Sequence, residues 1–320
     1  MDPKGMIESL PDQIVWEDIG EDIGGFSRVL ICGMGGSGIV GDIARSWAEH
    51  KGLKVPVLSY RGYGLPPWAE GKDTFVICVS YSGNTEETVS NLETALERNC
   101  HVVAVSSGGK LEEISKKKGI RHLKIPGGYA PRYALGFMLS KVLSLLGADR
   151  EEVEDAGENL KERVKESEER GRVLAERLYG YVPLIYATPL TEAVAFRWKT
   201  QINENSKTQA YFAVLPELHH NEVVGLDNAE IRSRFLFLIL FDPKDHHRVK
   251  VRVDITAGIL KDLGIVPEIL NGEGNSYLAR LLHLIYIGDW TSYHLALRYG
   301  FDPLPVRVID RIKERLSEIR

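Results

Sequence analysis

Short apolar runs punctuate the first half of the chain at regular intervals: Arg28–Cys32 (RVLIC), Val55–Tyr60 (VPVLSY), Thr74–Val79 (TFVICV), Val102–Ser106 (VVAVS) and His122–Pro126 (HLKIP). Their length and their β-branched content predict strands. The intervening segments, such as Glu86–Asn99 and Leu111–Lys118, are long enough for helices. This alternation predicts a doubly wound parallel sheet, whose ligand crevice lies beyond the carboxyl ends of its strands. Ahead of it, Ile7, Leu10, Ile14, Trp16 and Ile19 suggest an amphipathic helix leading into the first strand.

From Glu151 to Leu178 the chain is highly charged, with Val153, Ala156, Leu160, Val164, Gly171, Leu174 and Leu178 at helical spacings. This predicts a long solvated helix with one apolar face, a connector between domains. Apolar runs resume at Val182–Ala187, Tyr211–Leu215 and Phe235–Phe241, and helical patterns recur at Val249–Leu263, Ser276–Tyr299 and Pro305–Ile319. The expected fold is α/β with two doubly wound domains, their parallel sheets flanked by helices: residues 1–150, a linking helix over 151–180, and residues 181–320.

With 40 Lys and Arg against 45 Asp and Glu, the formal charge of −5 leaves no cationic excess for nucleic acid. No apolar run reaches membrane-spanning length, and the opening Met1-Asp2-Pro3-Lys4 lacks a basic segment followed by an apolar one. Cys32, Cys78 and Cys100 are odd in number and sit at or beside apolar runs, as small buried hydrophobes in a reducing compartment would. A cytoplasmic protein is expected. Asp242, Asp245, His246 and His247 form the one cluster that invites a metal, but they follow a strand as turn chemistry, and no metal or cofactor is expected.

Two loops carry candidate chemistry. Gly33, Gly35 and Gly38, after the first strand, satisfy G-x-G-x-x-G. A dinucleotide site wants a carboxylate about 20 residues on, where the chain reads Leu58-Ser59-Tyr60-Arg61; Arg61 leaves an NADP reading open. The glycines alone also suit a tight strand-to-helix turn. After the third strand, Ser80-Tyr81-Ser82-Gly83-Asn84-Thr85 precedes a helical pattern. Hydroxyls of Ser80, Ser82 and Thr85 at a helix N-terminus suit a phosphate monoester. Capping by Asn84, with Glu87 as capping-box partner, is compatible with that role.

The pair GMGGSG and SYSGNTEET, each after its own strand, resembles the sugar isomerase (SIS) domain, and KTQINENSK (Lys199–Lys207) with ELHHNEVVG (Glu217–Gly225) narrows the likeness to archaeal-type bifunctional phosphoglucose/phosphomannose isomerases. The likeness spans nearly the whole chain. It implies two SIS domains and an enzyme of carbohydrate metabolism, at glycolysis and gluconeogenesis, that interconverts glucose 6-phosphate and mannose 6-phosphate with fructose 6-phosphate through ring opening and a cis-enediolate.

Phosphate would be held by Gly35, Gly36, Ser37, Ser80, Ser82 and Thr85. Glu204 is implied as the base that moves the proton; it falls near the end of a helix starting at Thr191, where the dipole disfavours negative charge. His220 is implied as the ring-opening acid, delivered from the partner subunit of a homodimer, with the adjacent His219 as the alternative that sequence alone does not separate from it. Arg132 would stabilise the enediolate, though by charge alone it could equally hold phosphate. Lys313 on the terminal helix is implied in ring opening. The competing readings are a sugar-phosphate-binding SIS regulator without catalysis and an NADP-dependent dehydrogenase.

Overall fold

Two separate parallel sheets organise the computed structural model, which describes residues 1–319. The first contains β1 (Arg28–Cys32), β2 (Val57–Tyr60), β3 (Thr74–Val79), β4 (His101–Ser106) and β5 (Arg121–Lys124) in the order β2-β1-β3-β4-β5. The second contains β6 (Val182–Ala187), β7 (Tyr211–Val214), β8 (Phe235–Phe241) and β9 (Glu268–Asn271) in the order β7-β6-β8-β9. Helices cover both faces of such sheets, so central strands read as unbroken apolar runs; every residue of β3 is buried. Parallel register sets Cys32 beside Cys78, both free thiols, and burial pushes the Cys32 thiol well up.

Three expectations change. The N-terminal pattern forms two short helices, Pro3–Glu8 and Leu10–Gln13, and is extended from Ile14 onward. There the Val15 and Glu17 N–H groups donate to the Ser140 and Ser144 hydroxyls, so tertiary partners replace helical ones. The connector is broken at Arg163 into helices Arg150–Glu162 and Val164–Leu178. The Arg163 guanidinium donates to the Asn159 carbonyl, its own N–H turns to Leu160, and both halves lie against helix Tyr277–Arg298 instead of standing in solvent. Strand β9 has no apolar run to announce it, since among its four residues only Leu270 is buried.

Helix Tyr277–Arg298 is buried along most of its length and, with helices Gly35–Lys51 and Glu192–Ser206, joins the inner faces of both sheets into one apolar cluster. Close approach depends on two glycines. A Cβ on Gly288 would lie 2.3 Å from Trp198 Nε1, which donates to the Leu284 carbonyl, and one on Gly171 would lie 2.5 Å from Trp290 Cβ.

In each sheet the winding reverses between the first and third strands in sequence, β1/β3 and β6/β8, which is where such folds open a crevice. The second crevice is filled by its own side chains. Thr188 donates to Asp245, and Arg280 donates to Asp242 at 2.8 Å with both side chains buried. His246 accepts from the Arg248 N–H as a helix cap.

Two predictions follow from packing. Gly171→Ala should cost about 1–3 kcal/mol in urea unfolding because backbone must move, whereas Gly258→Ala, with nothing within 4 Å of the new Cβ, should be neutral or gain up to about 1 kcal/mol. His283 is fully buried; its Nδ1 accepts from the Glu273 N–H, its Nε2 has no partner among the described residues, and burial holds its pKa down to about 4. The unfolded chain binds this proton near pH 6.5, so stability is intact above that value and falls as pH drops toward 4, by about 3 kcal/mol in all. His283→Asn should flatten this segment of the stability–pH curve.

Candidate active site

At the first crevice the chain places the glycine loop after β1 against the hydroxyl loop after β3. A Cβ on Gly33 would lie 2.8 Å from the Val79 carbonyl, and one on Gly36 would lie 3.0 Å from the backbone of Arg132, so these glycines let three chain segments meet. The Ser37 hydroxyl is buried, donates toward Met138 Sδ and accepts the Tyr81 N–H, so it braces the hydroxyl loop from behind. Gly35, with φ of 51°, has open space around it.

In the hydroxyl loop Ser80 and Thr85 share a hydrogen bond of 2.9 Å, while Ser82 is exposed and accepts the Asn84 N–H. Thr85, not Asn84, is the N-cap of helix Glu86–Glu97, and its side chain makes no capping bond. The Asn84 carboxamide instead accepts the Lys110 N–H from the next crossover, which corrects the capping-box expectation. Helix geometry leaves the first-turn N–H groups of Glu86, Glu87 and Thr88 without intrahelical partners, beside the Ser80 and Thr85 hydroxyls. At Gly83 the backbone is left-handed, φ 69°, and a Cβ would collide with the Gly108 carbonyl.

Tyr81 Oη accepts the Tyr129 N–H and so ties this loop to the segment after β5 that carries Arg132. Arg132 is buried, 4% exposed, in a 3-10 turn Pro131–Tyr133. Its Nε donates to Asn205 Oδ1 at 2.7 Å, Nη2 to the Pro303 and Leu304 carbonyls, and Nη1 to Glu204 Oε2 at 3.3 Å. Four of its five N–H groups are thereby engaged, and the fifth lies on the nitrogen beside the Glu204 carboxylate.

Glu204 occupies the last turn of helix Glu192–Ser206, its side chain about one quarter exposed. Arg132 and Glu204, 72 residues apart, meet as an ion pair. The sequence reading missed Asn205 and Lys207. Asn205 accepts from both Arg132 and the Tyr133 hydroxyl and donates to Ser292. Lys207, the helix's left-handed C-cap with φ 57°, donates to the carbonyls of Glu204 and Pro303, and burial with the Arg132 charge pushes its pKa down. Their signal was their place in the same short motif as Glu204.

The two histidines separate. Arg252 donates to His219 Nδ1 at 2.9 Å, His219 Nε2 bonds Thr256, and burial lowers the pKa of the ring, which is therefore a neutral structural group. His220 is exposed at the end of the turn Glu217–His220. Lys313 lies on helix Arg307–Glu318, which buries no residue. Within one chain neither His220 nor Lys313 joins the Arg132–Glu204 pair. Arg61 donates to Asp42 and stacks over Phe196, so it is already occupied.

A family described as bacterial phospho-glucose isomerase C-terminal SIS domain matches residues 167–316. The chain is 53% identical over 313 residues, 98% of each chain, to the bifunctional phosphoglucose/phosphomannose isomerase of Aquifex aeolicus (strain VF5). The chain belongs to the bifunctional phosphoglucose/phosphomannose isomerase family. A second member, from Caldicellulosiruptor bescii, is 39% identical over 98% of each chain. Among solved structures, a hypothetical protein from Thermus thermophilus has the same fold, with a TM-score of 0.74 at 15% identity over 99% of this chain and 91% of its own. The isomerase family thus accounts for both sheets and for the chain at full length. Among the described residues no helix is long and apolar enough to cross a membrane.

The histidine geometry is checked by stability. His219→Ala should lose about 1 kcal/mol in urea unfolding through its two side-chain bonds, while His220→Ala should stay within about 0.5 kcal/mol.

Proposed function

We propose that this chain interconverts glucose 6-phosphate and mannose 6-phosphate with fructose 6-phosphate, as the names of its relatives describe for them. The observation that carries the reading is the one unengaged Arg132 N–H beside the Glu204 carboxylate. A base and a fixed cation at one point suit proton abstraction beside a carbonyl. Phosphate is held by the Ser80, Ser82 and Thr85 hydroxyls, by the Gly35 and Gly36 N–H groups and by the two helix N-termini behind them. Ser37 supports that cradle indirectly.

In the open-chain aldose, Glu204 takes the C2 proton; the C–H electron pair becomes the C1–C2 double bond and negative charge moves to O1, facing Arg132. Returning the proton to C1, with the O2 proton moved to O1, leaves a C2 ketone. The arithmetic closes without an electron acceptor. His220 protonates the ring oxygen for opening, supplied by a second copy of the chain, with Lys313 assisting. In support, His220 is exposed and unengaged in its own chain, while His219 is fixed.

We read residues 1–150 and 181–320 as the two SIS domains, residues 151–180 as the link, and the enzyme as a cytoplasmic homodimer in glycolysis and gluconeogenesis. A regulator would bind sugar phosphate without needing a carboxylate against Arg132, and a dehydrogenase would need Arg61 free. Incubated with fructose 6-phosphate in EDTA, the protein should form both aldose phosphates. Glu204→Gln should lower kcat by about 10²–10⁴ and abolish solvent-hydrogen exchange at C2, with KM within about tenfold of the native value. Retained exchange refutes the assignment of Glu204.

A further inference from the structure

Helix Arg307–Glu318 buries nothing within its own chain, yet it carries an apolar stripe: Val308, Ile309, Ile312 and Leu316 are 74%, 39%, 53% and 51% exposed. At about 100° per residue these four fall within an arc of roughly 100°, bordered by Arg315 on one side and Lys313 on the other. Twelve residues without a tertiary partner are too few to hold a helix in water. The stripe requires a cover.

The second domain offers a matching receptor. A cleft of about 440 Å³ opens over β6, β7 and β8, lined by Tyr186, Phe212, Leu226, Ile231 and Phe237, with Glu222 as its half-buried carboxylate. Among the described residues nothing pairs with the Glu222 carboxylate, and burial alone pushes its pKa up. Arg232 also lines the cleft, but its guanidinium is turned to the Leu226 carbonyl, which leaves Glu222 as the unmatched charge facing an apolar stripe edged by cations.

Position selects the occupant. The helix is rooted at the active site, because Pro303 and Leu304, just ahead of it, bond Arg132. Glu222 lies two residues after His220. If a second copy brings His220 to that site, it brings its cleft alongside, within the helix's span of about 18 Å.

We propose that the terminal helix of each copy docks its Val308–Ile309–Ile312–Leu316 stripe into the Glu222-bearing cleft of the other, a reciprocal exchange that closes as a two-fold dimer and steadies Lys313 over the site it serves. This rests on the two-copy reading of the active site. The exchanged helix anchors the assembly, and Arg315 meets Glu222 at its edge.

The test uses the full chain with Cys100→Ser. Light scattering over a dilution series should give a dimer, and Ile312→Asp with Leu316→Asp should weaken it by about 100-fold while the dissociated chain keeps its fold by circular dichroism, since the stripe buries nothing in its own chain. Mixing one chain carrying Ile312→Cys with another carrying Ile231→Cys should yield a disulfide-linked heterodimer on mild oxidation, a readout that stands even if the Asp variant misfolds. A native protein that is monomeric throughout would remove the two-copy reading and this docking together. A dimer indifferent to the Asp pair and giving no cross-link would overturn the docking alone, as would a cross-link formed within one doubly substituted chain.

Discussion

The guanidinium of Arg132 is where the two halves of this protein become one site. A buried cation is costly unless its donors are matched, and here the matching groups come from two distant places: Glu204 and Asn205 at the end of helix Glu192–Ser206, and the Pro303 and Leu304 carbonyls near the C-terminus. Satisfying one arginine thus sets the relation between the crevice of the first sheet and the helices of the second. Gly36 allows the Arg132 backbone close enough to the glycine loop for that relation to matter.

The two sheets repeat one winding with different outcomes. At β1/β3 the loops carry hydroxyls beside the first-turn N–H groups of helix Glu86–Glu97; at β6/β8 the equivalent space is filled by Thr188, Asp245, Asp242 and Arg280 bonding one another. What the second half brings to Arg132 comes from beside its sheet, at the C-terminal turn of helix Glu192–Ser206.

Much of this was readable in the sequence because it is local. Strands that are apolar along their whole length, such as β3 and β8, and loops directly after them carry their own signal. Glu204, Arg132 and His220 were reached through motif likeness, since nothing in their spacing says that residues 132 and 204 touch. What was missed depends on tertiary partners. Asn84 resembles a helix cap, but its carboxamide serves a neighbouring crossover; the long charged helix breaks where the Arg163 side chain takes the Asn159 carbonyl. β9, half exposed beside its neighbour, has no pattern to read.

The carbonyls of Pro303 and Leu304 on Arg132 give the C-terminal tail a hold over chemistry that the sheets do not exert. Both sheets end before residue 272, so a proteolytic nick just upstream of Pro303 would leave them intact while the guanidinium lost two acceptors and its aim. Such a clipped chain would keep both sheets while the guanidinium swung free, making the tail a fuse that fails before the frame does.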